Sequence, residues 1–149
     1  MKKIYKALAL MIALVLALSA FASCGDPSGE SGSVTIVLGL DTPVEYEVDI
    51  SKVTIDNGLF SVLDYLKSEG TLSYEASGTM ISSVGDLKPD ASKGEYIYIY
   101  TSCEADFDVS DWKQTMEYKG MELVSSGVGA NDMTICDGDL IYIGTIIYG

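Results

Sequence analysis

Histidine and arginine are both absent from the 149 residues. Without histidine the chain lacks the side chain most used for proton transfer near neutral pH, and a principal zinc ligand. Without arginine it lacks the planar fork that clamps carboxylates and phosphates. Both absences argue against hydrolytic and phosphoryl-transfer chemistry, and the many Ser and Thr hydroxyls have no histidine base to activate them. Positive charge is scarce as well: nine lysines face 22 acidic residues, a net charge of −13. Such a chain offers no basic patch to nucleic acid and gains nothing from anionic lipid headgroups by charge. Long apolar runs are missing except for one, Ala7 to Ala22, which follows Lys2 and Lys3. It is shorter than the ~20 residues a bilayer-spanning helix needs. No internal repeat is visible.

A basic start, a short apolar run and small residues at its end form the grammar of an export signal. Here the run closes on Phe21-Ala22-Ser23-Cys24-Gly25. A cysteine at the cut resembles the lipobox of bacterial lipoproteins. That resemblance implies cleavage after residue 23, with Cys24 as the lipid-bearing N-terminus and the protein held to the membrane on its extracytoplasmic face. Residues 24–33 are then a flexible tether rich in Gly and Ser, and residues 34–149 a single small domain. Cleavage removes Lys2, Lys3 and Lys6 and leaves six lysines against 22 acidic residues, a net charge of −16. Cys103 and Cys136 remain. Outside the cytoplasm they either pair as a disulfide or stay as buried thiols. Two cysteines alone, with no histidine, do not complete a four-ligand zinc site.

From Ser33 onward the texture is that of a folded domain. Val34, Ile36 and Leu38 alternate as in a strand, and Asp41-Thr42-Pro43 marks a turn. Val44 to Ile55 alternates apolar with acidic residues and reads as a half-buried antiparallel strand. Asp56-Asn57-Gly58 opens a helix with Asp or Asn as its cap; Leu59, Val62, Leu63 and Leu66 make its apolar stripe, and Gly70 its left-handed stop. Strands are expected at Leu72–Ala76, Met80–Leu87, Glu95–Cys103 and Met121–Val124, with Glu104–Gly120 a long polar loop. Asp137-Gly138-Asp139 between Met133–Cys136 and Leu140–Tyr148 is a hairpin signal. The order of elements predicts an α+β fold, one helix packed on a mixed or antiparallel sheet.

Four segments carry a further resemblance: Asp56 to Lys67, Met80 to Gly85, Gly94-Glu95-Tyr96-Ile97-Tyr98-Ile99-Tyr100, and Asp137-Gly138-Asp139-Leu140-Ile141-Tyr142. In this order the chain resembles the transcobalamin C-terminal-like domain, a β-grasp-type family of bacterial surface lipoproteins, over Val34 to Tyr148. The resemblance implies a small ubiquitin-like sheet crossed by one helix. It also implies capture of cobalamin, a related corrinoid or another small cofactor.

Several residues are candidates for a site. Tyr96, Tyr98 and Tyr100 share one strand face; tyrosine suits contact surfaces, although aromatic cross-strand packing is the favoured reading. Glu104, Asp106, Asp108 and Asp111 alternate like calcium ligands. However, Val109 and Thr115 stand where the loop geometry of a calcium hand needs Gly and Glu, so a solvated acidic loop is favoured. Trp112, the one tryptophan, is either a ligand lid or an anchor of its loop on the sheet, with the anchor preferred. Ser125 to Gly129, and within it Ser126, Gly127, Val128 and Gly129, either presents backbone amides to a ligand or simply turns the chain. No catalytic pair is legible, and the expected activity is binding rather than catalysis. The partner would be a small-molecule cofactor held by the Tyr98–Tyr100 face, the Trp112 loop and the Ser126–Gly129 corner. The alternatives are a structural or protein-interaction module of a surface complex and, less favoured, a calcium-stabilised module.

Overall fold

The computed structural model describes residues 31–148; the expected signal segment, Cys24 and most of the tether lie outside them. Among the described residues, eight strands and one α-helix follow in the order β1 (Ser33–Leu38), β2 (Val44–Asp49), α1 (Leu59–Ser68), β3 (Tyr74–Ser77), β4 (Met80–Val84), β5 (Glu95–Thr101), β6 (Thr115–Tyr118), β7 (Met121–Ser125) and β8 (Leu140–Ile147). Six strands form one sheet in the order β2-β1-β8-β5-β7-β6, and β3 and β4 form a separate hairpin. The β1–β8 pair is parallel and all other pairings are antiparallel. The fold is therefore α+β with an open mixed sheet, as the order of elements predicts. No helix among the described residues is long and apolar enough to cross a membrane.

The helix begins where Gly58 takes φ 54°, ψ −132°. A Cβ there would lie 2.5 Å from the Ala130 carbonyl oxygen, so only glycine fits. Gly58 is the N-cap and supplies no side-chain bond, in place of the Asp or Asn cap expected from sequence. The lead-in is held instead by Ser61, whose Oγ accepts from the Asp56 and Asn57 N–H groups (3.2 and 2.9 Å). Leu59, Val62, Leu63 and Leu66 are buried on the sheet, each worth about 2 kcal/mol of apolar transfer. Gly70, at φ 71°, ends the helix, and the Thr71 N–H reaches back to the Leu66 carbonyl (3.0 Å), a left-handed C-terminal motif. Facing the helix are Val34, Ile36, Leu38, Val48, Ile141 and Ile143, all in one core with partly buried Ile97 and Ile99.

Three expectations are corrected. The strand from Val44 stops at Asp49, whose carboxylate caps a 3-10 turn at Ile50–Lys52 by accepting from the Ser51 N–H. The long polar loop contains β6, a short strand whose partner is β7. Asp137-Gly138-Asp139 does not close a hairpin, because Met133–Cys136 is irregular and β8 pairs with β1 and β5. The turn signal is local, whereas the partners of a strand are chosen by burial of its whole length.

Candidate functional site

The strand β5 is asymmetric. One edge pairs with β8 from Glu95 to Thr101, but the other meets β7 only at Tyr100 and Thr101. Just beyond, the Ser126 N–H donates to the Ile99 carbonyl (2.9 Å) and ends the contact. Alternate residues of a strand direct both backbone groups to one side, so Ile97 faces the unpaired side without a strand partner. The β3–β4 hairpin stands opposite this edge. Between them lie two adjoining clefts that share Met80, Ile81 and Ile97. One, of about 310 Å³, also takes in Pro89, Glu95 and Tyr96. The other, of about 170 Å³, takes in Tyr98, Ser126, Val128 and Gly129. Met80 is 67% exposed and Tyr96 41%, an unusual apolar rim for a surface this acidic. On the far side of the hairpin, a recess of about 300 Å³ is walled by Phe60, Tyr74 and Asn131. The Asn131 Oδ1 is buried there without a partner among the described residues.

The tyrosines divide. Tyr98, Tyr100 and Tyr142 lie half-buried in a chain of ring contacts: Tyr98 to Tyr100 at 5.2 Å, Tyr100 to Tyr142 at 6.3 Å, Tyr142 to Tyr118 at 5.4 Å. Tyr118 belongs to β6, yet its hydroxyl donates to Glu45 of β2 (2.6 Å), and Lys119 joins the same carboxylate (2.6 Å). The β6–β7 hairpin thus folds over the tyrosine face and meets the opposite edge of the sheet. Val37 and Leu123 are fully buried on this face. The face is a small second core rather than an open surface, and cross-strand packing accounts for Tyr100. Burial foremost, then neighbouring Tyr98, raises the Tyr100 hydroxyl above its ordinary 10.0. Tyr118 is pushed up to about 12, chiefly by its bond to Glu45. Lys119 and Tyr118 hold the Glu45 carboxyl below its ordinary 4.5. Tyr96 alone of the predicted three is exposed, beside Tyr148 (6.1 Å).

Ser126, Val128 and Gly129 line the smaller cleft, but the amides of this corner are largely spent on the chain. Besides the Ser126 bond, the Gly127 N–H donates to the Asp106 carbonyl (2.8 Å) and the Val128 N–H to the Ser126 Oγ (3.3 Å). A Cβ at Gly127 would stand 2.9 Å from the Asp108 backbone. The corner shapes the cleft and presents the Val128 side chain to it.

The acidic loop is not assembled around an ion. Asp106 is 3% exposed, and its carboxylate accepts from the Thr134 N–H and hydroxyl (2.6 and 3.0 Å). Asp108 accepts from the Ser110 N–H (2.8 Å). Glu104, Asp106, Asp108 and Asp111 do not converge. The group that does converge among the described residues is Cys103, Cys136 and Asp139, whose sulfur and carboxylate oxygen atoms all lie within 4.8 Å of one another. The two thiols are free, Cys136 exposed and Cys103 half-buried; neither is the buried thiol of the sequence reading, and no disulfide joins them. Burial foremost, then neighbouring carboxylates, raises both thiols, the opposite of an activated nucleophile. Trp112 is 83% exposed and anchors nothing, which corrects that preference. The apolar hairpin residues Met80 and Ile81 were missed by sequence reasoning. Their signal was present in Ser77-Gly78-Thr79, a turn that ends on an exposed methionine, with Gly78 at φ 62°.

No family model and no curated protein sequence matches the chain. Among solved structures it is similar in fold to haptocorrin determined in complex with Cbi: 14% identity, TM-score 0.53, covering 88% of this chain and 28% of that one. A protein of Ruminococcus gnavus ATCC 29149, provisionally described as metal binding, matches at 20% identity and TM-score 0.48, covering 80% of this chain and 99% of that one. The chain thus spans little more than a quarter of haptocorrin's length.

Proposed function

We propose that the chain is a lipid-anchored, extracytoplasmic binding module that holds a small, flat, partly apolar ligand along the open edge of β5 and performs no catalysis. The observation that carries this reading is the unpaired Ile97 edge faced by Met80, Ile81 and Val128. Concave, mostly apolar recesses with a few polar groups are where small ligands bind. Ser126, Glu95 and the β5 backbone supply such polar groups. The fold shared with haptocorrin, and the resemblance to the transcobalamin C-terminal-like family, make a corrinoid the first ligand to try. The two clefts are too small to enclose a macrocycle, so it would lie across them with one face covered. One-sided contact predicts modest affinity. Membership of that family belongs to the same proposal.

The test is calorimetry of the full-length chain in detergent with cobinamide and with cyanocobalamin. Saturable one-to-one binding, weakened at least about tenfold by Met80→Glu or Val128→Glu, is expected. Absence of heat up to several hundred micromolar (roughly −5 kcal/mol of binding) retires the corrinoid. Anchoring is tested separately: cells fed a labelled fatty acid should label this chain and not its Cys24→Ala variant.

A protein partner is the second reading, favoured by the same edge. An extended peptide could add to β5 at Ile97, where the backbone lacks a strand partner. Proline at position 97 would block such a strand while leaving the β8 side paired, so loss of a captured partner in that variant distinguishes the two.

A further inference from the structure

We propose that Cys103, Cys136 and Asp139 form a binding site for a thiophilic divalent cation of the zinc type. Two sulfurs and one carboxylate oxygen within 4.8 Å of one another make a donor set that soft and borderline cations favour over calcium or magnesium. Three protein ligands leave a fourth position, which the exposed Cys136 turns toward solvent. That is the open arrangement of three ligands plus water, distinct from the closed four-ligand site that two cysteines cannot build.

The ligands are held by backbone bonds that leave both sulfurs and one carboxylate oxygen uncommitted. Cys103 follows the end of β5, and its N–H donates to the Thr101 Oγ1 (3.0 Å). Asp139 precedes β8 and accepts the Cys136 N–H on Oδ2 (2.8 Å), which leaves Oδ1 free. The two segments are tied directly: the Ser102 N–H donates to the Leu140 carbonyl (3.0 Å), and the Leu140 N–H to the Ser102 Oγ (2.9 Å). Such orientation of the ligands by their surroundings is what a metal site requires. The turn between Cys136 and Asp139 also grips the start of β1. Asp137 accepts the Ser33 N–H (3.0 Å), and the Gly138 N–H donates to the Ser33 carbonyl (2.8 Å). An ion there would brace the point where the chain enters the sheet. As each metal–sulfur bond forms, the thiol proton passes to solvent water, so two protons leave for each ion bound.

The test uses the full-length chain under a non-thiol reductant, titrated with cadmium as a spectroscopic probe and then with zinc. The expected result is a sulfur-to-metal charge-transfer band that saturates at one equivalent and is displaced by zinc, together with a rise in melting temperature. Cys103→Ser and Cys136→Ser should each diminish the band and weaken binding by about tenfold or more. Asp139→Asn, which retains an oxygen for the Cys136 N–H, should keep the band and weaken binding by about tenfold. No band, or a band indifferent to the two serine variants, overturns the proposal. So does a mass two hydrogens lighter after exposure to air with excess zinc, because the pair would then be a disulfide.

Discussion

The two faces of the six-stranded sheet are sealed by different means. On one face, aliphatic residues of α1 meet aliphatic residues of β1, β2 and β8, and the contact is continuous. On the other, Val37 and Leu123 are buried beneath tyrosines, and closure depends on one hairpin whose tip is fastened to Glu45 by Tyr118 and Lys119. The first face is stabilised by buried area. The second combines a smaller area with aromatic contacts and an exposed polar clasp. Area is insensitive to pH and salt, whereas an exposed clasp is sensitive to both.

That contrast can be broken at its centre. Leu63→Ala on the helix face should cost about 4 kcal/mol in urea denaturation, and Leu123→Ala on the tyrosine face about 2 kcal/mol, since the hairpin can settle into the space. Equal losses would show that both faces are packed alike. Next comes the link beneath the hairpin. Asp106→Ala removes two hydrogen bonds to a buried carboxylate, from the Thr134 N–H and hydroxyl, and should cost about 2 kcal/mol; Asp106→Asn should restore part of it.

The clasp should appear as pH dependence. Glu45 titrates below its ordinary 4.5 in the folded state, so its contribution is present above that value and fades as pH falls through the folded one. Tyr118, raised to about 12 from its ordinary 10.0, contributes fully below pH 10 and loses that contribution as pH rises through about 12. Denaturation midpoints across pH should show both limbs. Tyr118→Phe should reduce the alkaline one, which Tyr74, also raised to about 12, shares, and Glu45→Gln should reduce the acid one, which Asp49, Asp90 and Asp108 share, with the helix-face variants leaving both in place. Smallest of all, Trp112→Ala should change stability by less than about 0.5 kcal/mol, as befits a side chain outside both cores.

Some of this was legible beforehand. The stripe of Leu59, Val62, Leu63 and Leu66 has one helical period, and Gly70 marks its end. The alternation in β5 and β8 admits only strands, and together these elements specify an α+β unit. The site was half legible. Tyr96, Tyr98, Ser126, Val128 and Gly129 line the clefts, but Met80 and Ile81 were legible only as strand residues, because an apolar pair after a turn looks like any strand. Thr115–Tyr118 was hidden because it is short and mostly polar, and becomes a strand only against β7.

Residue types and their spacing, then, determined the helix, the central strands, the acidic surface and the want of histidine. Those are local properties, set by periodicity and by what each side chain can do. Tertiary structure alone decided that β8 lies between β1 and β5, that the tyrosine face is roofed, that β5 keeps a free edge, and that Cys103 meets Cys136 and Asp139. These depend on contacts between segments far apart in the chain, and burial of whole faces, rather than any local signal, selects which segments meet.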